Sequence, residues 1–362
     1  MLYYKTRRNI KKEILFLLRY YSILFHSSKV REKEKTIKVD ITKLSKNRYL
    51  YSFLKFFDLC GYTVFIPNNK KLLRELIEKK GQYTFMPNLL EEGFVKFGEP
   101  NKAINISFSA EQLSNDYFTP LFSKYNEKVY HVPICKFPTF YNIYHQIPNK
   151  ESVKHNKRSV FMAGNIDPVN YQKIKFSGLF ALPSRLDVAE YLYGNIAFRK
   201  LNSLIELNEF INSLEDEKII IIDTSKDFRI RGGDLNFIYQ SFNFYLALPG
   251  VDMPYCHNLI EAMSNSCIPI IHLSYAELMI PALEDNNTAL VYENFEQLDE
   301  KIKFAFSLPE KGIIRMRENV EKYYSAYLSP EAVVNKLEND SFDKIYIQAS
   351  YNSVKYLKEV NV

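Results

Sequence analysis

His257 and Glu261 are the residues of this chain whose types and spacing best suit chemistry. They lie four apart in Pro254-Tyr255-Cys256-His257-Asn258-Leu259-Ile260-Glu261-Ala262-Met263. That spacing puts an imidazole and a carboxylate on one helix face, while Leu259 and Met263 turn to another that can pack on a sheet. A carboxylate so placed can accept two hydrogen bonds from a ribose diol. Upstream, Phe244 to Leu248 reads as a buried strand and Pro249-Gly250 as the turn that ends it; Ile268-Pro269-Ile270-Ile271 reads as the next strand. Pro254 stands where it can open the helix without losing a hydrogen bond. The helix start is then expected to aim free N–H groups and a positive dipole end at the loop, which suits a phosphate. Gly250, Tyr255 and Asn258 complete the candidate set at this strand-to-helix junction, the place where open α/β sheets bind ligands. A plainer reading makes Glu261 a solvated helix residue and His257 a cap, but the flanking strands favour the ligand role.

A second cluster is Lys226-Asp227-Phe228-Arg229-Ile230-Arg231, just after the apolar strand Lys218–Asp223 and before a helix starting near Asp234. This placement aims Lys226, Arg229 and Arg231 at the same edge as Pro249-Gly250. Cations there suit an anionic phosphate, and the arginine fork suits bidentate phosphate contact. The alternative is a solvated surface loop. Arg185, at a helix start, and Gly164-Asn165, at the end of the strand Ser159–Ala163, are further candidates for that edge.

The run Glu261-Ala262-Met263-Ser264-Asn265-Ser266-Cys267-Ile268-Pro269-Ile270 resembles the C-terminal domain of GT-B fold glycosyltransferases, which reads roughly Glu-Ala-Met-x-x-x-x-Ile-Pro-Ile. Its Cys-Ile-Pro is especially like the exostosin-type members. The resemblance covers about residues 218 to 325; the N-terminal half is similar only in its order of elements. It implies an α/β chain with two Rossmann-like domains facing each other across a cleft, and Glu261 on the ribose of a nucleotide-sugar donor. It also implies metal-independent transfer with no cofactor besides the donor as co-substrate. By analogy with bacterial relatives, the acceptor is a saccharide or glycolipid in lipopolysaccharide, capsule or O-antigen synthesis. Retaining members often carry a second Glu eight residues upstream. Here position 253 is Met, with Asp252 out of phase, which favours an inverting outcome with its base elsewhere.

These residues need elements to hold them. Thr36–Ile41 alternates as a strand, Arg48–Cys60 is helical up to Gly61, and Tyr62–Pro67 is a second strand; a helix over Lys70–Lys80 ends at Gly81, and Ala103–Phe108 and Lys128–Pro133 follow as strands. Such alternation predicts parallel sheets covered on both faces. Periodicity fails between Pro133 and about Arg158, where prolines recur and Lys and Asn gather over Asn149–Lys157, so a boundary belongs there. The expected organisation is a basic segment over 1–35 and an acceptor domain over 36–155. A donor domain over 156–328 and a helical tail over 329–362, crossing back to the first domain, complete it. Ser184–Leu214 is expected to be mainly helical, Thr288–Tyr292 a strand, and Phe295–Phe306 and Glu310–Tyr324 helices.

Inverting transfer needs a base for the acceptor hydroxyl. Candidates on N-terminal strand-end loops are Asp40, Glu91, Glu92, Glu111, Asp116 and His131, with Asp116 and Glu111 favoured as catalytic because they follow the strand ending at Phe108. No Asp-x-Asp pair, Walker loop or Gly-x-Gly-x-x-Gly occurs, which counts against kinases and dehydrogenases and leaves no metal site to expect. The 362 residues suit two domains. Cys60, Cys135, Cys256 and Cys267 form no C-x-x-C pair, so reduced buried thiols of a cytoplasmic protein are expected. The net charge is +6, and Lys5, Arg7, Arg8, Lys11 and Lys12 crowd the first dozen residues ahead of the apolar run Ile14–Phe25, interrupted by Arg19. That run is too short to span a bilayer. It suits a helix lying on the inner membrane through residues 1–25 or one docked on the protein's own core, and both stay open. Rival readings of the whole are a nucleotide-sugar epimerase of the same fold, a catalytically dead scaffold and a nucleic-acid-binding protein. The last is disfavoured because the aromatics do not interleave with the cations.

Overall fold

The computed structural model describes residues 2–29, 31–77, 92–121, 128–142, 156–171, 180–251 and 253–347, with residues 85, 89, 353, 354 and 357. In chain order the first elements are α1 (Leu2–Lys29), β1 (Lys35–Val39), α2 (Arg48–Leu59), β2 (Tyr62–Ile66), α3 (Lys70–Ile77), β3 (Val95–Phe97), β4 (Ile106–Phe108), β5 (Leu113–Ser114) and β6 (Val129–His131). They continue as β7 (Lys157–Gly164), α4 (Arg185–Tyr193), α5 (Leu204–Asn212), β8 (Ile219–Asp223), α6 (Gly232–Gln240), β9 (Phe242–Ala247), α7 (His257–Met263) and β10 (Ile268–His272). The last are β11 (Leu290–Tyr292), α8 (Phe295–Ser307), α9 (Glu310–Tyr323), α10 (Pro330–Asn339) and β12 (Lys344–Tyr346).

The chain forms two compact units, one of residues 1–132 with 333–362 and one of 133–332. The division falls ahead of residue 155, the boundary read from the sequence, because Pro133–Asn142 belongs to the second unit; residues 143–155 lie outside the described residues. In the first unit a parallel sheet runs β3-β2-β1-β4, and β12 inserts between β5 and β6 in a second parallel sheet. The tail is therefore not helical throughout, as its polarity suggested. In the second unit a parallel sheet runs β11-β10-β9-β7-β8. Strands β8 and β9 are buried along their whole length, as parallel strands covered on both faces must be. Both main sheets have doubly wound orders, reversing direction between β1 and β4 in one and between β7 and β9 in the other.

Helix starts follow side-chain capping. Asn47 accepts the N–H groups of Tyr49 and Leu50 at the start of α2, Ser184 and Asp187 form a capping box on α4, and Ser203 and Asn294 cap α5 and α8. Two expectations shift. The single helical stretch over Ser184–Leu214 is two helices, parted by Gly194–Ser203, and Ala103–Asn105 stays outside β4 because Asn105 instead bonds Thr36 through both its N–H and its side chain. Residues 78–84, with Gly81, lie outside the described residues. All four cysteines are free thiols.

Candidate functional site

In the second unit the crevice at the reversal of strand order, past the carboxyl ends of β7 and β9, is the favoured ligand position of such sheets. Arg185 fills it. Its Nη1 donates to Asn165 O at 3.1 Å, its Nη2 to Pro249 O at 3.1 Å and Cys256 Sγ at 3.2 Å, and the guanidinium lies over the Tyr171 ring. It is 5% exposed. Arg185 stands at the edge the sequence assigned it, as a buried brace joining three loop segments. Each of two glycines nearby stands at a close approach of its own. A Cβ on Gly164 would lie 2.5 Å from Arg185 Nη1, and one on Gly250 would lie 2.9 Å from Met253 O.

On α7, His257 Nδ1 and Glu261 Oε1 are 2.7 Å apart. Oε1 also accepts the Phe137 N–H at 3.1 Å, and Oε2 accepts the Tyr239 hydroxyl at 3.3 Å. Glu261 is only 1% exposed. Burial alone would raise its pKa, but the charge and hydrogen bond of His257, the Phe137 N–H and the Tyr239 hydroxyl outweigh it and hold the carboxyl below its usual value. An ionised carboxylate only accepts, so the proton of the pair sits on Nδ1. Both oxygens of Glu261 are therefore engaged inside the protein. The imidazole is half-buried, with the Phe137 ring 5.1 Å away.

Two neighbours read as ligand groups have side chains bonded within the protein. Asn258 Nδ2 donates to Ala163 O at 2.8 Å and its Oδ1 accepts from Cys256 Sγ, which ties α7 to the end of β7. The Tyr255 hydroxyl donates to Leu278 O. Pro254 does not open the helix: α7 begins at His257 after Cys256, whose N–H is taken by the Tyr275 hydroxyl at 2.7 Å. Seven residues make a short helix with little dipole to offer.

The cations after β8 behave differently. Lys226, Arg229 and Arg231 are exposed, and none of them enters an ion pair among the described residues. Arg229 lines a cavity of about 410 Å³ together with Asn165, Thr224, Ser225 and Ile230, at the carboxyl ends of β7 and β8. Its floor is fixed by Asp223, whose Oδ1 accepts the N–H groups of Ile166 and Ser225 and the Ser225 hydroxyl. Asn165 contributes to that wall while its Oδ1 accepts the Asp167 N–H. Lys226 and Arg231 are not among the residues lining it. Arg231 stands just ahead of α6 and supplies no side-chain cap.

In the first unit, Asp40 and Glu111 stand past the ends of β1 and β4, at its own reversal of strand order. Glu111 is exposed and paired with Lys43 at 2.7 Å, which lowers its pKa through that hydrogen bond; Asp40 accepts the Thr42 N–H and hydroxyl. Asp116 accepts the Thr119 N–H at 3.3 Å. Glu92 is committed to Tyr51 and the buried Lys55, and Glu91 and Asp252 lie outside the described residues. His131 packs between Tyr346 and Tyr117, and burial lowers its pKa to about 4.

Sequence reasoning missed Tyr239, Phe137 and Asp223. Tyr239 sits in an apolar helix pattern and Phe137 in an aperiodic segment, so neither carries a local signal; Asp223, an acid closing an all-isoleucine strand, does carry one.

No protein-family model matches the chain, and no curated protein matches it. Among solved structures it is similar to WaaG, a glycosyltransferase involved in lipopolysaccharide biosynthesis, at 13% identity and TM-score 0.35 over 84% of this chain and 100% of that one. A glycosyltransferase from Rickettsia africae gives 15% and 0.36 over 85% and 99%. Anabaena HepE, in complex with UDP and glucose, gives 10% and 0.38 over 84% and 98%. At these TM-scores the likenesses carry no argument about activity or substrate.

Proposed function

We propose that the chain is a GT-B type glycosyltransferase. It moves a sugar from a nucleotide-sugar donor to a saccharide or lipid-linked acceptor of a bacterial surface polysaccharide, with inversion and without a metal, in the cytoplasm at the inner membrane surface. The observation that supports this reading is the cavity at the carboxyl ends of β7 and β8, where Thr224, Ser225, Asn165 and Arg229 gather, with Lys226 and Arg231 exposed in the same connection and in no ion pair among the described residues. Hydroxyls and guanidinium groups at parallel strand ends suit a diphosphate, and their cations would stabilise the charge that builds on it as the glycosidic bond breaks. His257, oriented by Glu261, offers Nε2 to the sugar or phosphate. Asp116 or Glu111 takes the proton from the acceptor hydroxyl.

Thermal unfolding against a panel of nucleotide sugars tests this. A true donor at a hundred times its Kd adds about 2.7 kcal/mol of stability. Stabilisation by at least one donor, followed by acceptor-dependent release of its nucleoside diphosphate, is expected. Conversion of the donor without acceptor would make the chain an epimerase, and a flat response to every donor would sink both readings.

A further inference from the structure

Helix α1 presents two unlike faces. One packs on the first unit: Glu13 pairs with Arg74 and Lys70, the Arg74 guanidinium lies 4.3 Å over the Phe16 ring, and the Tyr20 hydroxyl donates to Asn68 at 3.3 Å. The spacing of Glu13, Phe16 and Tyr20 is that of a single helix stripe. On an adjoining side Ile10, Ile14, Leu18 and Tyr21 form a second stripe, each more than half exposed, with Leu15 beside it equally bare. Large apolar side chains at helical spacing on a surface mark an interaction site.

The charge of the helix identifies the occupant. α1 carries seven Lys and Arg and one acid, Glu13, which is turned inward against Arg74. Remove this helix from the chain's 48 basic and 42 acidic residues and 41 of each sign remain, so the whole positive surplus belongs to α1. Lys11, Lys12 and Arg19 are exposed alongside the apolar stripe. No described helix is long and apolar enough to cross a membrane.

We propose that this face of α1 is a docking surface for an anionic lipid bilayer, with the helix lying in the headgroup plane, its apolar stripe inserted and its lysines and Arg19 on lipid phosphates. An interfacial helix combines these features, a bare apolar face and a one-signed polar margin. A second copy of the chain fits poorly, because two such helices would bring like charges together. Nucleic acid would use the cations but not the isoleucines and leucines. The proposal gives the membrane contact of the preceding reading a location, and it stands whether or not the chain transfers a sugar.

Full-length protein is sedimented with vesicles of phosphatidylcholine alone and with vesicles holding about a third phosphatidylglycerol, in low and high salt. At least tenfold stronger binding to the anionic vesicles is expected, weakened by salt. The variant Ile14→Glu/Leu18→Glu should lose tenfold or more, and Lys11→Glu/Lys12→Glu should lose binding to anionic vesicles alone. These side chains face solvent, so unfolding temperature and donor response should not move. Equal binding to both vesicle types, or unchanged binding by Ile14→Glu/Leu18→Glu, overturns the proposal. So does a lipid-free dimer of the wild type that this variant breaks, since the stripe would then belong to a second copy.

Discussion

Replacing His131 by Phe should flatten the acid limb of the stability curve. The imidazole lies 4.8 Å from the Tyr346 ring and 5.0 Å from the Tyr117 ring, and its Nε2 is buried without a hydrogen-bond partner among the described residues. Burial brings its pKa from 6.5 to about 4. Above pH 6.5 His131 is neutral in both folded and unfolded chains and does not make stability depend on pH. Between 6.5 and about 4 only the unfolded chain takes the proton, so stability falls as pH falls; below that both states are charged and the loss stops. At 1.36 kcal/mol per decade the loss from this one group is about 3 kcal/mol. Phe keeps the ring and cannot charge. At pH 8 His131→Phe should change stability by only about 1 kcal/mol, the worth of the bond to the Tyr117 backbone. From pH 7 to pH 4 the wild type should lose about 3 kcal/mol more than the variant in urea unfolding followed by circular dichroism. Carboxylates that titrate in the same range are common to both proteins and cancel in the difference. Parallel curves would refute the argument and restore His131 as a group that titrates normally.

Glu261→Ala should cost about 2–4 kcal/mol in urea unfolding, because it strands the Phe137 N–H, the Tyr239 hydroxyl and His257 in a buried site. Because the Glu261 carboxyl is held below its unfolded value, its stabilisation is present above pH 4.5 and lost as pH falls through the lower folded value; Glu261→Gln should lack that acid dependence. Gly164→Ala should lower stability by about 1–3 kcal/mol, since its Cβ would meet a guanidinium pinned by three acceptors, and a silent substitution would mean that Arg185 is not fixed. Arg229→Ala and Arg231→Ala should each reduce kcat/KM for the donor by about 2–4 kcal/mol in transition-state terms, with unchanged unfolding temperature; a wild-type kcat/KM in either variant would remove that arginine from the site.

What the sequence determined by itself was periodic and local. Apolar runs such as Ile219–Ile222 and Phe244–Leu246, cut by Pro249-Gly250, are buried parallel strands because only a strand covered on both faces is apolar throughout. The four-residue interval of His257 and Glu261 sufficed to pair them, since helix geometry is fixed by the backbone. The tertiary structure decided where each polar group ends. Arg185 could not be read as a brace, because its partners Asn165, Pro249 and Cys256 come from remote loops that meet only when the strands align. That Glu261 also holds the Phe137 N–H and the Tyr239 hydroxyl was set by residues 124 and 22 positions away in sequence. Residues 344–346 became a strand only because β5 and β6 left a place between them. Hydrophobic spacing is written along the chain, whereas a hydrogen-bond partner from another element is supplied by the fold.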